Sequence, residues 1–222
     1  MKALYAILFL ILLTPSAGVN AQEAKQICKT NLNAPPIGAY FWSPDAPVKV
    51  YFATGAFTTE QRKALLETME TWTRDGKSAG TGIRFSYAGE SNGLDTCQNC
   101  LTLTRGEVHK TDRRHYAQFM PLRWNGTFLG SAWIELDFAI INPKALQGFI
   151  AHELAHSVGL GDCPTCKSRR TIMNSFPSIN RDNGLISASS CDLEVVRQLY
   201  GEQRRISQTR TPREKVVVAP AR

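Results

Sequence analysis

The stretch from His152 to Asp162, His-Glu-Leu-Ala-His-Ser-Val-Gly-Leu-Gly-Asp, constrains this chain more than any other. Four residues advance an α-helix by about 400° and about 6 Å. On a helix, His152 and His156 therefore share one face, one turn apart, and can both offer an imidazole nitrogen to one metal ion. Glu153 stands about 100° round the helix from His152, where it can hold a metal-bound water without being a ligand. A bare H-E-x-x-H arises by accident in ordinary helices, so the continuation discriminates. A straight helix would carry residue 162 away from the histidines. Gly159 is the residue type that permits a left-handed turn at a helix end, and the turn brings Asp162 round as a third ligand. Two imidazoles, one carboxylate and an open fourth position make the catalytic rather than the closed structural arrangement of zinc. The expected cofactor is one Zn2+, held by His152, His156 and Asp162.

The ends of the chain read as separate from the folded body. Met1-Lys2, the apolar run Ala3–Leu13 and the small-residue stretch before Val19-Asn20-Ala21 match a signal peptide over 1–21. The run is too short to span a bilayer, which takes about 20 residues, and no later segment is apolar enough. Residues 22–47 contain few apolar side chains and several prolines, and read as an extended lead-in. From Glu202 to the end, six lysines and arginines face two acids, a net of +4 out of the chain's +7. Lys2 leaves with the signal, so residues 22–201 carry only +2. The high pI therefore belongs to a basic tail over 202–222, expected to be disordered. The body has no interleaved basic and aromatic run that would track phosphates, which argues against nucleic acid as a partner.

Between the ends, Val48–Ala53 is a β-rich run. Thr58 or Thr59 can cap a helix through about Arg74, with Ala64, Leu65, Met69 and Trp72 on one side and Asp75-Gly76 as its stop. Thr59 is followed three residues on by Arg62, so no reciprocal capping box is expected. Ile83–Tyr87 and Cys100–Arg105 read as further strands. Tyr116–Trp124 and Gly130–Phe138 flank Asn125-Gly126, the strongest short hairpin signal. A helix over about 143–158 starts with proline in its first turn, and a last helix runs from about Ser190 to Tyr200 with Gly201 as its stop. Six cysteines in an exported chain suggest three disulfides among fifteen possible pairings. Two local bridges, Cys97–Cys100 and Cys163–Cys166, with Cys28–Cys191, are preferred. The two C-x-x-C pairs also have the spacing of a four-thiolate zinc site.

With its Gly159 and Asp162, the motif resembles the metzincin clan of zinc peptidases, in which Asp replaces the last histidine in a minority of families such as the snapalysin-like ones. Thr171-Ile172-Met173-Asn174 looks like the clan's Met-turn, and Val195-Val196-Arg197-Gln198-Leu199-Tyr200-Gly201 looks like the last helix of matrixin-type domains. The resemblance covers residues 48–201, taken as the catalytic domain. It implies an α+β fold: a twisted mixed sheet with one antiparallel edge strand, an active-site helix and a C-terminal helix. It also implies Met173 as a hydrophobic floor under the histidines, Tyr116–Trp124 as the strand lining the cleft, and Asn174–Ile186 as a pocket wall, with Phe176, Pro177 and Ile179 lining it or plugging the core. His109 and His115 fit no ligand spacing and read as surface or packing residues. The implied function is a secreted, monomeric zinc endopeptidase, extracellular or periplasmic, acting on protein or peptide with Glu153 as general base and acid. The alternative is a zinc-stabilised protein that captures peptides without cutting them. A gluzincin is disfavoured because no acid other than Asp162 lies between His156 and Asp182.

Overall fold

The computed structural model describes residues 41–93, 97–111, 115–125, 128–163, 166, 171–174 and 185–209. Five strands form one mixed sheet: β1 (Val48–Ala53), β2 (Phe85–Ser91), β3 (Cys100–Gly106), β4 (Ala117–Asn125) and β5 (Phe128–Asp137). Their order is β2-β1-β3-β5-β4. The first three pairings are parallel, and β4 runs antiparallel to β5 at the sheet's edge. The helices are α1 (Thr59–Ala79), the short α2 (Val108–Thr111), α3 (Pro143–Ser157) and α4 (Ser190–Thr209). This is the α+β class expected, with a single antiparallel edge strand. The short α2 carried no periodic signal in the sequence. No helix among the described residues is long and apolar enough to cross a membrane.

Alternation explains the layering. Val48, Val50 and Phe52 of β1 are buried while Lys49 between them is exposed. Leu101 and Leu103 of β3 and Ala132, Ile134 and Leu136 of β5 join the same core as Leu65, Met69 and Trp72 of α1. Opposite faces of a pleated strand alternate with period two, so these residues put one face of the sheet under the helices. β2 is the other edge, and its burial is sparse after Phe85. That is why its apolar pattern marks Ile83–Tyr87 while the ladder itself runs from Phe85 to Ser91.

Helix ends supply three corrections. Thr58, not Thr59, caps α1, which makes Gln61 the third helical residue. Its side chain accepts from the Thr58 N–H at 3.1 Å while the Thr58 hydroxyl accepts from the Gln61 N–H at 3.3 Å. The reciprocal box is therefore present, a feature that contributes about 0.5–2 kcal/mol through its cap. Gly76 does not stop the helix, which continues to Ala79 and ends at Gly80 in the left-handed conformation, φ 74°. Gly76 is instead a contact glycine, since a Cβ there would lie 2.9 Å from the Thr81 hydroxyl. Gly201 does not stop the last helix either: α4 runs through it to Thr209. Residues 202–209 of the tail are thus helical, while 1–40 and 210–222 lie outside the described residues.

The end of the lead-in also belongs to the core. Phe41 and Trp42 are buried, and Trp42 forms a bridge to Leu129 at the start of β5. The Trp42 N–H donates to the Tyr200 hydroxyl at 3.0 Å, and the Phe41 ring meets the Tyr200 ring edge-on at 5.4 Å. This strap ties the chain before β1 to α4.

Candidate metal centre

Helix α3 carries the site. Asn142 caps it by accepting from the Lys144 N–H, and Pro143 occupies the first turn, where its missing N–H removes nothing. The helix is apolar almost all round, so it is buried along most of its length and its polar residues stand out. Phe149, His152, Glu153 and His156 recur at helical spacing along one stripe. His152 and Glu153 are buried and His156 is half-buried. The Tyr116 ring, just before β4, lies 6.2 Å from the Phe149 ring, which brings the start of the edge strand alongside this stripe.

The turn after the helix follows from Gly159, whose φ is 95°. The Leu160 N–H donates to the Ala155 carbonyl at 3.1 Å and the Gly159 N–H to the His156 carbonyl at 3.0 Å. That pair of bonds is the Schellman motif, which needs a left-handed residue at this position. The chain doubles back, and Asp162 comes to rest with Oδ1 3.2 Å from His152 Nε2 and 3.6 Å from His156 Nε2. One ligand atom from each of His152, His156 and Asp162 falls within 4.8 Å of the others. Among the described residues this is the group of histidines, cysteines and acids placed to hold a metal ion.

The far side of each ring fixes its chemistry. His152 Nδ1 lies 3.0 Å from the Ile172 carbonyl and His156 Nδ1 lies 2.9 Å from the Leu160 carbonyl. A carbonyl oxygen only accepts, so each Nδ1 carries the hydrogen and each Nε2 is left with its lone pair facing Asp162. Asp162 Oδ1 is itself buried and makes no well-directed hydrogen bond. Three lone pairs aimed at one small volume repel unless a cation, a proton or a metal, lies among them. The donor set therefore fits a metal ion. Without one, the site holds protons instead. The His152 imidazole keeps the Asp162 carboxyl below the usual carboxylate range against the opposing effect of burial, with His156 and the more distant His115 assisting. Burial pushes the His152 pKa down, but Asp162, Glu153 and the Ile172 carbonyl outweigh it and the net shift is upward.

Asp192, which sequence reasoning did not single out, holds this arrangement. Asp192 of α4 is wholly buried. Its carboxylate accepts from the Thr171 hydroxyl at 2.5 Å, the Ile172 N–H at 2.9 Å, and the Ser189 N–H and hydroxyl at 2.9 and 2.8 Å. The Ser189 hydroxyl accepts in turn from the Asp192 N–H, so one carboxylate caps α4 and pins the 3-10 turn Ile172–Asn174. The carbonyl that orients His152 belongs to that turn. Met173 is buried one residue beyond it, with its N–H on the Thr171 hydroxyl. Ser189 is one of the two serines that can cap this helix by sequence, and the Ser-x-x-Asp pattern could have flagged Asp192 as its partner. Nothing local to the sequence flags the link across to residue 172.

No protein-family model and no curated protein matches the chain.

Other expectations divide. Cys97 is bonded to Cys100 and Cys163 to Cys166, and the two pairs close local loops instead of sharing a four-thiolate zinc site. Cys191 is buried, whereas Cys28 falls outside the described residues, as do Phe176, Pro177 and Ile179. His109 stacks flat on Tyr116 with ring centres 4.3 Å apart, the packing role expected of it. His115 is exposed. Elsewhere, a hollow of about 360 Å³ on the sheet's other face is lined by Thr54, Thr102, Thr104 and Trp133 among others, none of them titratable.

Proposed function

We propose that this protein is a zinc-dependent endopeptidase of metzincin type, exported from the cell, with His152, His156 and Asp162 as ligands and Glu153 as the general base and acid. The observation that carries this reading is the convergence of three ligand atoms within 4.8 Å beside a buried glutamate on the same helix. A structural metal site has no need of that glutamate. Two imidazoles and a carboxylate suit zinc, which when bound here would supply Lewis acidity to a peptide carbonyl and to the attacking water.

The chain's own residues do the rest. His152 and His156 present Nε2 because Ile172 and Leu160 take their other ring hydrogens. Glu153 takes a proton from the attacking water and returns it to the departing amine, so no acyl-enzyme forms. In this reading Met173 supports the histidines from below and moves no proton. An extended peptide would join the sheet as an added strand beside β4, the edge strand. Bonded Cys163–Cys166 and Cys97–Cys100 suit an oxidising compartment, either periplasm or external medium.

The test is zinc stoichiometry and cleavage of a mixed peptide library by the purified protein, with and without chelator. One bound zinc and chelator-sensitive cleavage are expected. Stoichiometric zinc with peptide binding but no cleavage would replace this reading with the capture protein, and absence of zinc would end both.

A further inference from the structure

Asp162 stands on a stretch without regular secondary structure, so something other than a helix or a strand must hold it. On its N-terminal side the holding is clear: Leu160 is tied to Ala155 through its N–H and to His156 Nδ1 through its carbonyl. On its C-terminal side the next residue is Cys163. The Cys163 N–H donates to the Met173 carbonyl at 3.0 Å, and the Asn174 side-chain amide donates to the Cys163 carbonyl at 2.7 Å. The same carbonyl accepts the Cys166 N–H at 3.0 Å. The disulfide Cys163–Cys166 closes this turn covalently, and both sulfur-bearing residues are buried in the core, 3 % and 8 % exposed.

We propose that the Cys163–Cys166 disulfide is a positioning clasp for Asp162, and that reducing it weakens metal binding. The inference rests on the metal reading of His152, His156 and Asp162. With the bond closed, one turn anchors the backbone of Cys163 to the Ile172–Asn174 segment, which also holds His152. With it open, only the hydrogen bond from the Cys166 N–H to the Cys163 carbonyl still ties the two residues, the turn gains conformational freedom, and Asp162 must be ordered at the expense of metal affinity. Reduction takes two electrons and two protons and leaves two thiols. A phosphine supplies the electrons, becoming a phosphine oxide whose oxygen comes from water, and a dithiol supplies them by closing its own disulfide. A chain whose metal affinity falls wherever such reductants prevail would hold its metal best after export.

The test is competition for zinc between the full-length protein and a chromogenic chelator. It compares the oxidised parent, the phosphine-reduced parent, the double variant Cys163→Ser/Cys166→Ser and the control Cys97→Ser/Cys100→Ser. Loss of groups that orient ligands typically lowers metal affinity about 10–100-fold. That fall is expected for the reduced parent and the Cys163/Cys166 variant, with the control close to the oxidised parent. A bridge that merely stabilises the fold would lower the thermal midpoint of the metal-free protein and leave zinc affinity alone. Affinity unchanged or tighter after reduction, or a Cys163/Cys166 variant within twofold of the parent, would overturn the clasp. If that variant does not fold, as judged by circular dichroism, the reduced parent decides. An oxidised parent that binds no zinc removes the metal reading itself, a different failure from zinc that binds equally well in both redox states.

Discussion

Replacing Asp192 by alanine should loosen the metal site from more than one helix away. The carboxylate has no solvent to fall back on, and it serves four donors, the Thr171 hydroxyl, the Ile172 N–H, and the N–H and hydroxyl of Ser189. Ser189 is partly exposed and can turn to water, whereas Thr171 and Ile172 are fully buried. Each buried donor left without an acceptor costs about 1–3 kcal/mol, so the two together predict a loss of about 2–6 kcal/mol from a total of about 5–15 kcal/mol. A water admitted to the vacated space would bring the figure to the low end of that range. Asp192→Asn keeps the volume and one acceptor oxygen, so one donor is stranded and about 1–3 kcal/mol is lost. Because the Ile172 carbonyl orients His152, zinc affinity should fall about 10–100-fold in the alanine variant as well. Urea unfolding of the metal-free protein followed by tryptophan fluorescence gives the first quantity, and chelator competition the second. An alanine variant within about 0.5 kcal/mol of the parent, the range of ordinary surface substitutions, would refute the hydrogen-bond argument. A large loss of stability with unchanged zinc affinity would show that His152 is held without the turn.

Glu153→Ala should keep stoichiometric zinc and lower peptide hydrolysis by about 10²–10⁴-fold, the usual loss of a general base; parent-like cleavage by the purified variant would take the proton-transfer role from Glu153. Asp162→Ala removes one of three protein ligands, so zinc affinity and activity should fall together, while Asp162→His, served by the same Gly159 turn, should recover part of both. Zinc held equally tightly by the alanine variant would place the third ligand elsewhere. Burial raises the Tyr200 phenol well above its ordinary range, partly offset by the Trp42 N–H. The unfolded chain loses that proton near pH 10, so the stability it contributes is intact below about pH 10 and is lost as pH rises toward the folded value. Tyr200→Phe should be less stable at pH 7 by about 1–3 kcal/mol, because the buried Trp42 N–H is stranded, and should show a shallower alkaline decline. Parallel alkaline curves for parent and variant would refute the assignment.

The grouping of His152, His156 and Asp162 was legible because its geometry is local. Helical spacing puts His152 and His156 on one face, and Gly159 allows the reversal that returns Asp162, all within a few helical turns. The antiparallel pairing of β4 with β5 and the alternation in Val48–Ala53 are local in the same sense. What holds the ligands in place was not legible, because each support is a contact between distant segments whose ends look ordinary alone. Asp192 reads as a polar residue in the first turn of a helix, and Ile172 only as part of a turn resembling the Met-turn, with no sign that the two meet. Their meeting depends on α4 packing against the turn that follows α3.

The glycines make the same point in reverse. Gly80 and Gly159 end helices with φ of 74° and 95°, and both are followed by a residue whose N–H reaches back five positions to a helical carbonyl. Gly76 and Gly201 sit in equally plausible stop positions and remain helical. At Gly76 the reason is contact, because the Thr81 hydroxyl lies 2.9 Å from where a Cβ would stand. A glycine in a helical pattern therefore has two uses, a left-handed turn or a close approach, and composition does not separate them. Between Gly159 and Gly201, the residues that follow do. Leu160 is buried and cannot be so if the helix runs straight on, whereas Glu202 and Gln203 after Gly201 offer no apolar group that a reversal would bury. The reversal at Gly159, which brings Asp162 to the two histidines, thus depends on hydrophobic burial at Leu160. Leu160→Ser should accordingly weaken the site without touching a ligand.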